Sequence, residues 1–136
     1  EKLIPKIITN ALNNKQIPIY GNGENIRDWL YVDDHVNGLL KVLNEGKIGE
    51  KYCIGGNQEK TNNEVVNTIC KILDRLVPKE NSYSKQINYV KDRLGHDKRY
   101  AINTTKIKSD LNWVPKYSFK EGIEITISWY LKKYTK

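Results

Sequence analysis

Residues 17–35 read IPIYGNGENIRDWLYVDDH and limit the chain more than any other stretch. Ile17-Pro18-Ile19-Tyr20 has the make-up of a short strand, with Pro18 suited to an edge or a non-pairing position. Tyr20-Gly21-Asn22-Gly23 is a tight turn, because two glycines admit backbone angles that a Cβ forbids. From Ile26 to Val32 the alternation predicts a second strand. Ile26, Asp28, Leu30 and Val32 fall on one face, and Arg27, Trp29 and Tyr31 on the other. Asp33 or Asp34 is then positioned to cap a helix with Val36, Leu39, Leu40 and Leu43 on one side. Arg27 stands at the start of a strand with buried character, just past a glycine turn. An anion is the best reason for so expensive a residue there.

A second polar cluster, Asp92-Arg93-Leu94-Gly95-His96, follows the short strand pattern Ile87-Asn88-Tyr89-Val90. Gly95 lets the backbone approach a ligand, Arg93 suits a phosphate, and His96 can donate one hydrogen bond. An Asp92–Arg93 pair across the loop is the structural alternative. Between the clusters, Thr61-Asn62-Asn63-Glu64 is a capping box opening a helix through Val65, Val66, Ile69, Cys70, Leu73 and Leu76, ended near Pro78. Asn62 beside that cap serves either the cap or a ligand.

The rest of the chain supplies scaffold. Ile4, Ile7, Ile8 and Leu12 predict a first helix, stopped at Asn13-Asn14. Glu50 to Gly56 reads as a strand, residues 79–86 as a polar loop, and Thr104 or Thr105 as the cap of a short helix. Ser118 and Glu121 form another capping box, Trp113, Phe119 and Trp129 are expected core anchors, and residues 131–136 a fraying tail.

With 136 residues there is room for one domain with a modest core. No apolar run approaches the roughly 18–20 residues a membrane span needs, so no membrane partner is expected. Net charge is +7, which raises a nucleic-acid reading. The lysines are scattered, however, and three of the four arginines (Arg27, Arg93 and Arg99) fall in the two polar motifs. Planar guanidinium groups at chain turns suit bidentate phosphate binding. A basic RNA- or DNA-binding module stays as the alternative from a different class, and steep salt dependence would mark it. Two cysteines without a CxxC and two histidines argue against zinc or a disulfide framework. Cys53 and Cys70 are expected as buried reduced thiols, which fits a cytoplasmic protein.

PIYGNGENIRDWLYVDDH, Glu1-Lys2-Leu3-Ile4-Pro5 and the run from Asp92 to Tyr100 together carry a family resemblance. The chain resembles the nucleotide-sugar dehydratases and epimerases of the extended short-chain dehydrogenase/reductase superfamily. Within them it is most similar to the dTDP-glucose 4,6-dehydratases. The resemblance covers essentially the whole chain and implies an α/β fold, the C-terminal substrate-binding part of a Rossmann-type enzyme over residues 1–136. It implies a lyase that forms dTDP-4-keto-6-deoxyglucose with NAD, or, as the nearer alternative, another nucleotide-sugar dehydratase or epimerase. A dTDP-sugar partner and a homodimer at full length are likewise implied.

Carried over by the resemblance, Lys2 and Leu3 lie against the nucleotide, and Pro18, Ile19 and Tyr20 against the thymine base. Arg27, Asn62, Asp92, Arg93, Leu94, Gly95 and His96 surround the diphosphate and ribose. The family commonly has proline where this chain has Leu94, which loosens the loop without removing a ligand-binding group. A glycine-rich phosphate loop, an Asp-Glu pair and a Tyr-x-x-x-Lys base belong to the family's chemistry, and none is in the 136 residues. The expectation is therefore that NAD and the catalytic residues belong to a half upstream of Glu1, and that this segment alone is inactive.

Overall fold

The computed structural model describes residues 2–134; Glu1 and the last two residues of the expected tail lie outside the described residues. The chain runs α1 (Leu3–Leu12), β1 (Ile17–Tyr20), β2 (Ile26–Asp28), α2 (Val32–Glu45), β3 (Glu59–Thr61), α3 (Asn62–Leu76), β4 (Ile87–Val90), β5 (Arg99–Tyr100), α4 (Thr105–Leu111) and α5 (Phe119–Tyr134). β1 pairs in parallel with β4, Ile17 opposite Ile87. A second sheet has the order β3-β2-β5, with β2 antiparallel to β3 and parallel to β5.

α1, α3 and α5 enclose the main core. Ile7, Ile8 and Ala11 meet Val65, Val66, Ile69 and Leu73, with Ile123 and Ile127 closing one side and Ile17 and Ile19 of β1 the other. Each fully buried aliphatic side chain is worth roughly 1.5–3 kcal/mol, so this cluster dominates the stability. The period of two along β1 sends Ile17 and Ile19 inward and leaves Pro18 and Tyr20 half-buried on the other face. α3 opens with the capping box read from sequence: Thr61 Oγ1 accepts from the Glu64 N–H, and the Glu64 carboxylate accepts from the Thr61 N–H. At the start of α5, the Glu121 carboxylate accepts from the Ser118 N–H and hydroxyl. Ile107, Leu111 and Trp113 form a smaller cluster with Leu30, Val42, Tyr52 and Ile54.

Several expectations are corrected. The strand after the glycine turn stops at Asp28, because the Asp28 carboxylate takes the N–H groups of Gly56 and Gln58 and draws another segment alongside. Helix α2 begins at Val32, capped by the Tyr31 backbone without a side-chain bond. Asp34 does not cap it. Its buried carboxylate accepts from the Lys116 and Tyr117 N–H groups, pinning the chain ahead of α5. Residues 50–56 form no ladder among the described residues, and the strand there is β3. Tyr83–Gln86 is a 3-10 turn, not an irregular loop, because buried Tyr83 is held by Asp74 and Val77. α5 continues through Tyr134, and Trp129 on it is 56% exposed, so it anchors no core.

Cys70 is buried and Cys53 exposed. Burial pushes the Cys70 thiol up to about 11. In the 136-residue chain a thiol reagent at pH 8 should label Cys53 within minutes and reach Cys70 only on unfolding. Mass spectrometry of the singly labelled protein checks this, and equal labelling of both would contradict the core described above.

Candidate functional site

A cavity of about 460 Å3 opens where α1, β1, β2, the start of α3 and the loop after β4 converge. Lys2, Lys6, Arg27 and Arg93 line it against one carboxylate, Asp28, whose oxygens already serve two backbone N–H groups. The cavity is therefore electropositive and suits an anion. Pro18, Tyr20, Trp29, Ile7 and Leu3 give it an apolar wall.

The glycine turn fixes the cavity's edge. Gly23 has φ +74°, and a Cβ there would stand 2.1 Å from Asn63 Oδ1. The Asn63 amide donates to Asn22 O and to Glu24, and the Asn63 N–H to Gly23 O. The turn is thus stapled to the first residues of α3, which carry Asn62. That side chain is 7% exposed, lines the cavity, and makes no hydrogen bond among the described residues. The capping of α3 falls to Thr61, so Asn62 is left available to a ligand.

On β2, Arg27 Nη1 donates to Ile26 O at 2.7 Å and Asp97 O at 3.0 Å, tying the second polar loop to the strand. Its other donors are not taken by a carboxylate among the described residues. In that loop, Asp92 pairs with His96 rather than with Arg93. Asp92 Oδ1 stands 2.6 Å from His96 Nδ1 and accepts the Arg93 N–H at 2.8 Å. The hydrogen bond from His96, then that from the Arg93 backbone, holds the Asp92 carboxyl below the usual carboxylate range. The Arg93 guanidinium lies 5.1 Å from the Tyr20 ring centre, and the His96 ring meets Tyr20 edge-on. Arg99, by contrast, is taken up by Glu59 in a two-pronged ion pair.

Of the residues singled out from sequence, Lys2, Leu3, Pro18, Tyr20, Arg27, Asn62, Arg93 and His96 line this one cavity. Ile19 does not: its side chain is fully buried in the core. Asp92, Leu94 and Gly95 stand outside the lining, with Leu94 fully exposed. Lys6, Asp28 and Trp29 line the cavity and were missed. Lys6 is one helical turn beyond Lys2, a spacing that could have been used. An adjoining cavity of about 740 Å3 shares Lys2 and Trp29 but is walled by Ile4, Phe119, Ile123 and Tyr130. Its lining is too apolar for a phosphate.

NAD finds no fit here. Among the described residues the Gly21–Gly23 turn leads into a strand and the Gly46–Gly49 turn into extended chain, whereas a dinucleotide loop opens a helix whose N–H groups meet the pyrophosphate. Among the described residues no cluster could hold a metal, and no helix is long and apolar enough to cross a membrane.

The chain is 58% identical over 131 residues to dTDP-glucose 4,6-dehydratase 1 of Escherichia coli K12, covering 96% of this chain and 36% of the relative. It is 52% identical over 132 residues to a probable dTDP-glucose 4,6-dehydratase of Sinorhizobium fredii, covering 97% and 38%. It thus spans little more than a third of these relatives' length. The dTDP-glucose 4,6-dehydratase of Bacillus anthracis, solved in complex with NAD, superposes with a TM-score of 0.85 at 50% identity over 96% of this chain and 39% of its own. UDP-glucose 4-epimerase of Thermotoga maritima, solved with UDP-glucose, gives 0.86 at 28% identity, over 97% of this chain and 40% of its own. The family model described as GDP-mannose 4,6 dehydratase matches residues 1–126, and the chain belongs to that family of short-chain dehydrogenase/reductase epimerases and dehydratases.

Proposed function

We propose that this chain is the C-terminal, substrate-binding part of a dTDP-glucose 4,6-dehydratase and holds the dTDP portion of the substrate in the 460 Å3 cavity. The observation that carries the reading is the electropositive cavity itself. Residues from three separated motifs (Lys2, Tyr20 with Arg27, and Arg93 with His96) converge on it, beside a buried asparagine whose side chain makes no hydrogen bond among the described residues. Tyr20 and Pro18 offer a flat apolar wall for a base, and the arginines suit a diphosphate. Dehydratase homologues bind dTDP-sugar ligands, which favours thymine over the other bases. NAD and the groups that oxidise C4 and remove water across C5 and C6 then belong to another part of the polypeptide.

The apolar stripe of α2 supports that division. Val32, Val36, Leu39 and Leu43 are between 46% and 79% exposed, a face that matches a second domain packed against it. The free Cys53 and Cys70 thiols are in keeping with a cytoplasmic enzyme. Homodimerisation would involve surfaces outside this chain.

The test is calorimetric titration of the intact polypeptide with dTDP, UDP and GDP, together with a turnover assay for dTDP-4-keto-6-deoxyglucose. The expected outcome is tightest binding of dTDP, turnover by the intact polypeptide, and none by residues 1–136 alone. Dehydratase turnover by the purified 136-residue chain, or no preference for dTDP, would overturn the proposal. Binding of duplex DNA or RNA with a steep salt slope would favour the nucleic-acid alternative instead.

A further inference from the structure

The Asp92–His96 pair has a consequence for how an anion is held. His96 has two ring nitrogens and lines the cavity with its side chain 5% exposed. Nδ1 is engaged by Asp92 at 2.6 Å, while Nε2 has no partner among the described residues. An ionised carboxylate only accepts hydrogen bonds, so Nδ1 must carry the hydrogen. Asp92 is kept ionised by that bond and by the Arg93 N–H. In the neutral ring Nε2 is then a bare acceptor. Phosphate oxygens are acceptors too, and two acceptors cannot bond.

From this geometry we infer that His96 engages the diphosphate only as an imidazolium, that nucleotide binding draws a proton onto Nε2, and that Asp92 is the positioning residue that imposes it. This deepens the proposed nucleotide site and rests on it. The charged groups around His96 are of both signs: Asp92 holds its Nδ1, and Asp28 lies in the lining. Tyr20 of β1 meets it by a ring edge, Arg93 follows Asp92 in the same loop, and Lys2, Lys6 and Arg27 share the lining. A diphosphate brings acceptor oxygens and negative charge to Nε2, so proton and ligand arrive together.

The test uses the intact polypeptide and a β-methyl ester of dTDP, whose phosphates do not titrate near neutral pH. Calorimetry at pH 8 in buffers of different ionisation enthalpy should read net proton uptake. Affinity should fall with rising pH by up to about tenfold per unit, the limit for one linked proton. His96→Gln should abolish the uptake and flatten the profile. Asp92→Ala removes the acceptor that fixes the hydrogen on Nδ1, which frees neutral His96 to carry it on Nε2. That variant should still bind the ester, with its uptake reduced towards zero. A merely structural role for Asp92 would weaken binding and leave the uptake per bound ligand unchanged, and that result overturns the inference. So does wild-type binding without proton uptake. If the wild type does not bind the ester at all, the proposed site fails and takes this inference with it.

Discussion

Replacing Arg93 by alanine in the intact polypeptide should weaken dTDP about 10- to 150-fold and leave thymidine, which lacks phosphate, within about twofold. The range is that of one charge-assisted hydrogen-bonding group, roughly 1.5–3 kcal/mol. Arg93 is the cleaner of the two arginines to test. It rests over Tyr20, forms no ion pair among the described residues, and holds no other element in place. Arg27 has two jobs, because its Nη1 also clips the Ile26 and Asp97 carbonyls. Arg27→Ala should therefore weaken dTDP by a similar factor and also lower the melting temperature, which Arg93→Ala should not do. Lysine at position 93 keeps the charge without the planar fork and should recover only part of the loss. Calorimetry with both ligands decides the matter. If Arg93→Ala weakens dTDP and thymidine equally, Arg93 shapes the base pocket or the fold and does not hold phosphate.

Which residues were legible in the sequence follows from how local their signals are. Thr61 and Glu64 carry the start of α3 within four residues, and the prediction holds to the hydrogen bond. The glycine turn, β1 and β4 were likewise read from short patterns, although β1 and β4 pair with each other across the chain, Ile17 opposite Ile87. The strand expected to run to Val32 shows the limit. Ile26 to Val32 alternates cleanly, yet Asp28 gives its carboxylate to Gly56 and Gln58, about 30 residues away, and the strand ends there. No periodicity records a long-range bond of that kind. Asp34 is the same lesson at greater range: near a helix start it reads as a cap, whereas its partners are Lys116 and Tyr117. The cavity was legible in its two arginines because arginine is scarce in a lysine-rich chain, whereas Lys6 and Asp28 carry no such mark. At Ile19 the resemblance assigns a whole segment to the base, whereas the pleat turns every second side chain into the core.

Leu39→Ala and Leu43→Ala should each destabilise the intact polypeptide by about 2–5 kcal/mol, the cost of truncating a packed leucine. In the 136-residue chain Leu43→Ala should change stability by no more than about 0.5 kcal/mol, because that side chain is 79% exposed and packs on little. The contrast arises because α2 is amphipathic on both counts. Its Gly38 face closes on Ile54 and Trp113 of this chain, while the Val32, Val36, Leu39 and Leu43 stripe is left largely exposed. A stripe of four aliphatic residues at helical spacing is costly to leave in water, at roughly 25 cal/mol per Å2 of apolar surface. Residues 50–56 point the same way, since that apolar extended segment lies beside α2 with its backbone unladdered, with Cys53 exposed in its middle. Packing of a further domain there should bury Cys53 along with the stripe. Denaturant unfolding of both forms gives the stability difference, and the rate of Cys53 labelling gives the burial. In the intact polypeptide Cys53 should react far more slowly than in the isolated chain, and Leu43→Ala should speed it up. Small and equal effects in both forms, with Cys53 reacting freely in each, would mean that α2 faces solvent throughout and that the catalytic half, if joined to this chain, packs elsewhere.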